Sequence, residues 1–286
     1  MIRFGPSGNC DAFYADGNKE SSQIPQWLNK LGLNAYEYSF SLGKFLSDGT
    51  SEKIRKEAEK YDVKVSVHAP YYINFCNTTD TSIENNTKFL LNSLYGLNKL
   101  GGNHCVFHIG SQMKLTREEA LSNLERNFRD FLDTFDSYPD LKNLYMCPET
   151  MGKYSQIGTP DEIFNICKWH PNLIPTLDFG HINCIMQGGL QSKDDFLRIF
   201  EKGIDALGFE KMNECHIHFS KIMYNAKGEV AHLTFEDTTF GPDYQPMIDA
   251  ILQLNLHPNI ISESKGTQGP DAKTMLDYYL LKTQSR

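Results

Sequence analysis

No cysteine in this chain belongs to a Cys-x-x-Cys pair, and the seven present (Cys10, Cys76, Cys105, Cys147, Cys167, Cys184 and Cys215) are scattered and odd in number. That usage argues against a disulfide framework or a structural zinc knuckle and suits thiols kept reduced in a cytosol. No stretch approaches the roughly 20 apolar residues of a membrane span, and Met1-Ile2-Arg3-Phe4-Gly5 runs straight into a strand-like segment without a signal peptide. A soluble, cytoplasmic protein with no membrane partner is expected. No linker rich in Pro, Gly or Ser divides the chain, so residues 1–286 read as one domain. An excess of basic residues is absent too: 28 Lys and Arg face 36 Asp and Glu, for a net charge of −8. Bulk electrostatics therefore disfavour nonspecific nucleic-acid binding, although bound divalent cations would reverse the sign at one face.

What the chain does have is a large apolar fraction, 40% hydrophobic with 12% aromatic, which supplies a sizeable core and excludes disorder. Short β-like runs alternate with longer amphipathic ones from end to end. The expected strands are Ile2–Gly5, Ala35–Ser39, Lys64–His68, His104–His108, Asn143–Glu149, Leu173–Asp178, Glu214–His218 and Asn259–Glu263. The expected helices are Ser22–Leu31, Ser51–Tyr61, Thr81–Leu100, Thr116–Phe135, Pro160–Trp169, Ser192–Leu207, Tyr244–Leu254 and Asp271–Leu281. Phe89, Leu90, Leu94, Leu97 and Leu100 show the three-and-four spacing of a buried helical face. Repeated β-then-α units over a chain of this length predict an α/β fold, a (β/α)8 TIM barrel. A doubly wound open sheet would carry a Gly-rich phosphate turn after its first strand, and Gly5-Pro6-Ser7-Gly8-Asn9 lacks that form.

The strand ends carry the chemistry. Pro175-Thr176-Leu177-Asp178-Phe179-Gly180-His181 is an apolar run ending in an aspartate, with a histidine three residues on. Alone, it fits a helix N-cap as well as a metal ligand. Other strands end alike, in His68, His108, Glu149, His216 and His218, and Glu263. A barrel brings such ends to one face, where active sites form. Carboxylates and imidazoles crowded there without cations would repel or go unsatisfied, so a multinuclear metal centre is expected. His104, at the opposite mouth, reads as structural, and His170 and His257 as surface residues. Lys153 and Lys221 lie in loops of the functional face, and Tyr224–Asp243 is the longest irregular segment, a candidate active-site loop.

Together these residues resemble the endonuclease IV type of apurinic/apyrimidinic endonuclease, within the xylose-isomerase-like barrels. The marks are His68 followed by Tyr71 and Asn74, Phe107-His108-Ile109-Gly110, Glu149-Thr150 with Gly152, Leu177-Asp178 with His181, His216 with Lys221, His232, and Glu263. The resemblance implies up to three zinc ions, with manganese as a substitute. His68 and His108 would hold the first, and Glu149 would bridge it to a second completed by Asp178, His216 and Glu263. His181 and His232 would help hold the third. Glu149 and Glu263 would be catalytic, and Tyr71, Asn74 and Lys221 would contact substrate. The implied reaction is hydrolysis of the DNA backbone 5′ to an abasic site by metal-activated hydroxide, a DNA-repair step performed by a monomer. Departures are visible. Val230 stands where the family has a third-site aspartate, leaving Glu229, His218 or Asp237 to substitute; His218-Phe219 replaces an expected Asn-Asp pair; and no arginine occurs between Arg3 and Arg55 to enter the DNA stack. The alternative is a sugar isomerase or epimerase acting on a small sugar or sugar phosphate, for which one divalent ion on Glu149, Asp178, His216 and Glu263 would suffice.

Overall fold

In the computed structural model, which describes residues 2–40, 43 and 45–284, parallel strands form two four-stranded sheets that curl into a closed (β/α)8 barrel. In chain order the strands are β1 (Arg3–Pro6), β2 (Ala35–Ser39), β3 (Lys64–His68), β4 (His104–Phe107), β5 (Gly110–Ser111), β6 (Tyr145–Pro148), β7 (Gln156–Ile157), β8 (Thr176–Asp178), β9 (His216–Phe219), β10 (Lys221–Asn225), β11 (Gly228–Leu233) and β12 (Asn259–Ser262). One sheet runs β1-β12-β9-β8 and the other β2-β3-β4-β6. Parallel bridges close the two seams: Ser7 with Glu37 between β1 and β2, and Met146 with Leu173 and Glu149 with Thr176 between β6 and β8.

The principal helices on the outside are α1 (Asp11–Ala15), α2 (Ile24–Leu31), α3 (Asp48–Lys60), α4 (Asp80–Leu100), α5 (Arg117–Asp136), α6 (Pro160–Cys167), α7 (Phe179–Ile185), α8 (Lys193–Leu207), α9 (Phe209–Asn213), α10 (Tyr244–Leu254) and α11 (Gln268–Gln284). Their starts follow local chemistry. Thr116 and Glu119 cap α5 reciprocally, as Thr159 and Glu162 cap α6, and Pro160 occupies the first turn of α6, where its missing N–H costs nothing. The core lies between barrel and helices, where Phe75, Phe107, Phe128 and Phe131 pack ring on ring. Helices α4 and α5 contribute Leu90, Leu94, Leu97, Phe128 and Phe131, all buried.

The expected strands and helices fall on the observed barrel units, with shifted ends. Two corrections concern the functional face. Tyr224–Asp243 is not wholly irregular: β10 and β11 form an antiparallel hairpin there. The strand expected at Glu214–His218 is His216–Phe219, displaced toward the functional face because Glu214 and Cys215 lie in the turn that leaves α9.

Candidate metal centre

Strand register decides which residues reach the mouth of the barrel. On β9, His216 and His218 share the inward face because side chains alternate, so sequence alone leaves their depths unresolved. Pairing resolves them: Thr176 of β8 lies beside His216, and Asp178 lies beside His218. His218 is therefore level with the Asp178 carboxylate, and His216 sits one layer deeper. The residue of β9 grouped with Glu149, Asp178 and Glu263 is therefore His218 and not the expected His216, which groups one layer deeper with Glu37 and His218 in a further set of possible metal donors.

Glu149 is the centre of the arrangement and is 1% exposed. Its Oε2 lies 3.2 Å from His68 Nε2 and 3.1 Å from His108 Nε2. Its Oε1 lies 3.0 Å from His218 Nδ1 and 3.6 Å from His181 Nδ1. The two carboxylate oxygens thus face different donor groups, the geometry a bridging ligand needs. One group is His68, His108 and Glu149; an adjoining one is Glu149, Asp178, His218 and Glu263. Asp178 serves two purposes. Its Oδ1 accepts from the His181 backbone N–H at 2.8 Å and so caps α7, while its Oδ2 is buried without a hydrogen-bond partner. A fully buried, unpartnered carboxylate oxygen facing other carboxylates and imidazoles is explained by a cation.

A third group is His181, Glu229 and His232. Of Glu229, His218 and Asp237, it is Glu229 that lies with these two histidines, and the reason is a register shift in the hairpin. Ile222 pairs with His232 and Met223 with Ala231, but Tyr224 pairs with Glu229, leaving Val230 as an extra residue. In a regular strand residues three apart face opposite ways; the bulge restores them to one face, so Glu229 and His232 both turn to the cleft. Gly152 makes room for this group, since a Cβ there would lie 2.7 Å from the His181 ring and 2.9 Å from Glu229 Cβ.

Electrostatics match the donor set. Burial pushes the Glu149 carboxyl upward, but the imidazoles of His218, His108 and His68 outweigh it and hold the group well below its ordinary value. Burial raises Asp178, with Glu149 and Glu263 adding to the rise against His181. Burial would lower His68 and His181, yet their carboxylate neighbours, Glu149 for the first and Asp178 with Glu149 for the second, carry both up to about 9. Most of these rings have one nitrogen tied down and the other facing the centre: His68 Nδ1 to the Ala69 carbonyl at 2.7 Å, His181 Nδ1 to the Thr150 carbonyl at 3.0 Å, and His232 Nδ1 to Ser220 Oγ at 2.9 Å. Such outer contacts fix ring orientation in metal sites.

The centre opens into a cleft of about 320 Å³ whose lining includes Tyr71, Lys153 and Gln156 together with the donors other than Asp178 and His218. Tyr71 stands at its rim, 58% exposed. Two other expected substrate contacts are placed elsewhere. Lys221 donates from Nζ to the Asp237 carbonyl at 2.7 Å and pairs with Asp243 at 3.1 Å, and it borders a separate cavity beneath the segment 235–243. Asn74 accepts through Oδ1 from the Cys76 and Ser111 backbone N–H groups, each at 3.0 Å, and closes a loop. One buried acid was missed from the sequence: Glu37 on β2, fully buried beneath His218.

Residues 25–280 match the family described as xylose isomerase-like TIM barrel. An uncharacterized protein of Methanocaldococcus jannaschii is 31% identical over 237 residues, which cover 83% of this chain and 84% of that protein. A probable endonuclease 4 of Acholeplasma laidlawii is 26% identical over 209 residues, 66% of this chain and 69% of that protein. Among solved structures, a D-tagatose 3-epimerase-like protein superposes with a TM-score of 0.71 at 18% identity, covering 99% of both chains.

Proposed function

The chain belongs to the xylose isomerase-like TIM barrel family, and from that premise we propose that it is a metal-dependent phosphodiesterase of the endonuclease IV kind, cleaving DNA 5′ to abasic sites. The observation that carries this reading is the third donor group. A barrel that binds one ion for sugar chemistry has no use for His181, Glu229 and His232 beside the bridged pair of groups around Glu149. Three adjacent sites suit a phosphodiester, whose attacked phosphate and leaving oxygen both need charge compensation. Bound zinc or manganese would supply Lewis acidity toward the phosphate and a lowered pKa for an attacking water. The protein's own residues would do the rest. Glu149 spans two sites and fixes their separation. Glu263 keeps a partly exposed carboxylate in the cleft, 3.4 Å from His218 Nδ1, placed to take a proton from water. Tyr71 offers an exposed ring at the rim against which an abasic nucleotide's neighbours can stack. Three dications exceed the charge of Glu149, Asp178, Glu229 and Glu263, so the cleft would be locally positive in an acidic protein.

The test is direct. Protein loaded with zinc or manganese is incubated with a duplex carrying one abasic site, and a nick on its 5′ side leaving a 3′ hydroxyl is expected. Metal-loaded protein that leaves such a duplex intact sinks the proposal. The second reading is sugar epimerisation, favoured by the quartet Glu149, Asp178, His218 and Glu263, which by itself is a complete single-ion site. Metal content separates the two, three ions per chain for the phosphodiesterase and one for the epimerase.

A further inference from the structure

We propose that Glu37, His216 and His218 hold a further cation, one layer below the metal centre and closed off from the cleft. The three side chains are fully buried, and one ligand atom from each lies within 4.8 Å of the others. None of the three lines the cleft. Glu37 Oε1 is 2.9 Å from His218 Nε2, and Glu37 Oε2 is 2.9 Å from His216 Nε2. Yet Glu37 Oε1, His216 Nε2 and His218 Nε2 all lack a hydrogen-bond partner, three of the seven such buried side-chain atoms among the described residues. Groups that stand at hydrogen-bond distance without hydrogen-bond alignment are aimed at something else. Ligands about 2.0–2.2 Å from a cation, at near-right angles, lie roughly 3 Å apart with their lone pairs turned to the cation and not to each other. Asp178 Oδ2 is orphaned in the layer above for the same reason.

The fold explains why the three meet. Glu37 is on β2 of one sheet and both histidines are on β9 of the other, with β1 and β12 between them along the barrel wall. Their contact therefore runs through the barrel interior, and a cation there braces one sheet against the other. Ser66, the register partner of Glu37 on β3, donates its hydroxyl to Oε2 at 2.8 Å and fixes the depth of the carboxylate. A buried carboxylate is costly without a counter-charge, and the ion supplies one. Two imidazoles and one carboxylate suit zinc or a similar borderline cation, whereas calcium and magnesium take oxygen ligands. With no face open to the cleft, the ion is structural and not catalytic. His218 is shared between layers: Nδ1 lies 3.0 Å from Glu149 Oε1 while Nε2 faces Glu37. With ions in both layers, the ring bridges them as an imidazolate.

This site stands apart from the phosphodiesterase reading, and it adds one ion to whichever number the cleft holds. Full-length wild type is purified without chelator from zinc-supplemented culture, crystallised, and measured above and below the zinc absorption edge. An anomalous peak is expected about 2.0–2.2 Å from His216 Nε2, His218 Nε2 and a Glu37 oxygen. Elemental analysis of Glu37→Gln and His216→Gln, which leave the cleft donors untouched, should show one zinc per chain fewer than wild type. A brief exposure to dipicolinate should strip the cleft ions first and leave one ion in wild type and none in either variant. Peaks in the cleft without one between Glu37 and the two histidines overturn the proposal, as does a wild-type zinc count in either variant. A peak there with an empty cleft upholds it and overturns the cleft reading instead. The map is read on the wild type, so it decides the matter even if neither variant folds.

Discussion

The two parts of the donor cluster are built differently. His68, His108, Glu149, Asp178, His218 and Glu263 stand at or just past the ends of barrel strands, where parallel pairing fixes their heights. Glu229 and His232 stand on the β10–β11 hairpin, where one extra residue, Val230, decides which way a side chain points. The first part inherits its geometry from the whole barrel; the second depends on a local irregularity. Barrel donors should therefore tolerate nothing at the ligand and much around it, whereas hairpin donors should be lost through a change that removes no donor atom.

The largest effect is expected from Glu149→Ala on the barrel side. The carboxylate faces two donor groups at once, so its loss should disturb both and lower bound metal by more than one ion per chain. Cleavage of an abasic duplex should fall by at least about 10³-fold, the upper scale for removing one preorganised stabilising group. Elemental analysis beside a nicking assay checks it. Wild-type metal content in Glu149→Ala would remove the bridge from the account.

Inserting one alanine between Met223 and Tyr224 tests the hairpin side. With a partner for Val230, β11 should regain regular alternation, and Glu229, three residues from His232, should turn to the opposite face. One ion per chain should be lost, with the barrel-borne ions retained and cleavage reduced by about 10²-fold. If the insertion variant keeps every ion, the bulge is not what aims Glu229, and the contrast between the two parts fails.

The same contrast explains what the sequence discloses. The (β/α)8 order is legible because each unit repeats, and most strand-end donors are legible because a buried run that stops in His, Asp or Glu has few other reasons to. Depth is not legible. His216 and His218 share one inward face, and only the pairing of β9 with β8 shows which of them is level with Asp178. Glu37 left a signal that could have been used: an acid at the centre of Ala35-Tyr36-Glu37-Tyr38-Ser39 must alternate to the same face as Ala35 and Ser39. Glu229 remained one of three candidates because a bulge has no sequence rule and shows itself only in register.

The smallest effect is a proton count, and it asks whether electrostatics follow the same division. His68 belongs to the barrel strands and His181 to helix α7 beside the hairpin group, yet both are carried up to about 9 in the metal-free protein by neighbouring carboxylates. Since the unfolded value is near 6.5, these imidazoles stabilise the metal-free fold fully below that pH, and the contribution is lost as pH rises through about 9. A cation needs the unprotonated ring, so zinc added at pH 7 must displace protons, and apparent affinity should climb with pH until it levels off above about 9. Zinc titration in weak buffer with a pH indicator measures the release directly. In the variant with an alanine inserted between Met223 and Tyr224, loss of the His181 site should remove only its share of the protons, and the share due to His68 should persist. Release that is unchanged in the insertion variant, or absent from the wild type, would mean that the carboxylates do not hold protons on both sides of Glu149 as the geometry requires.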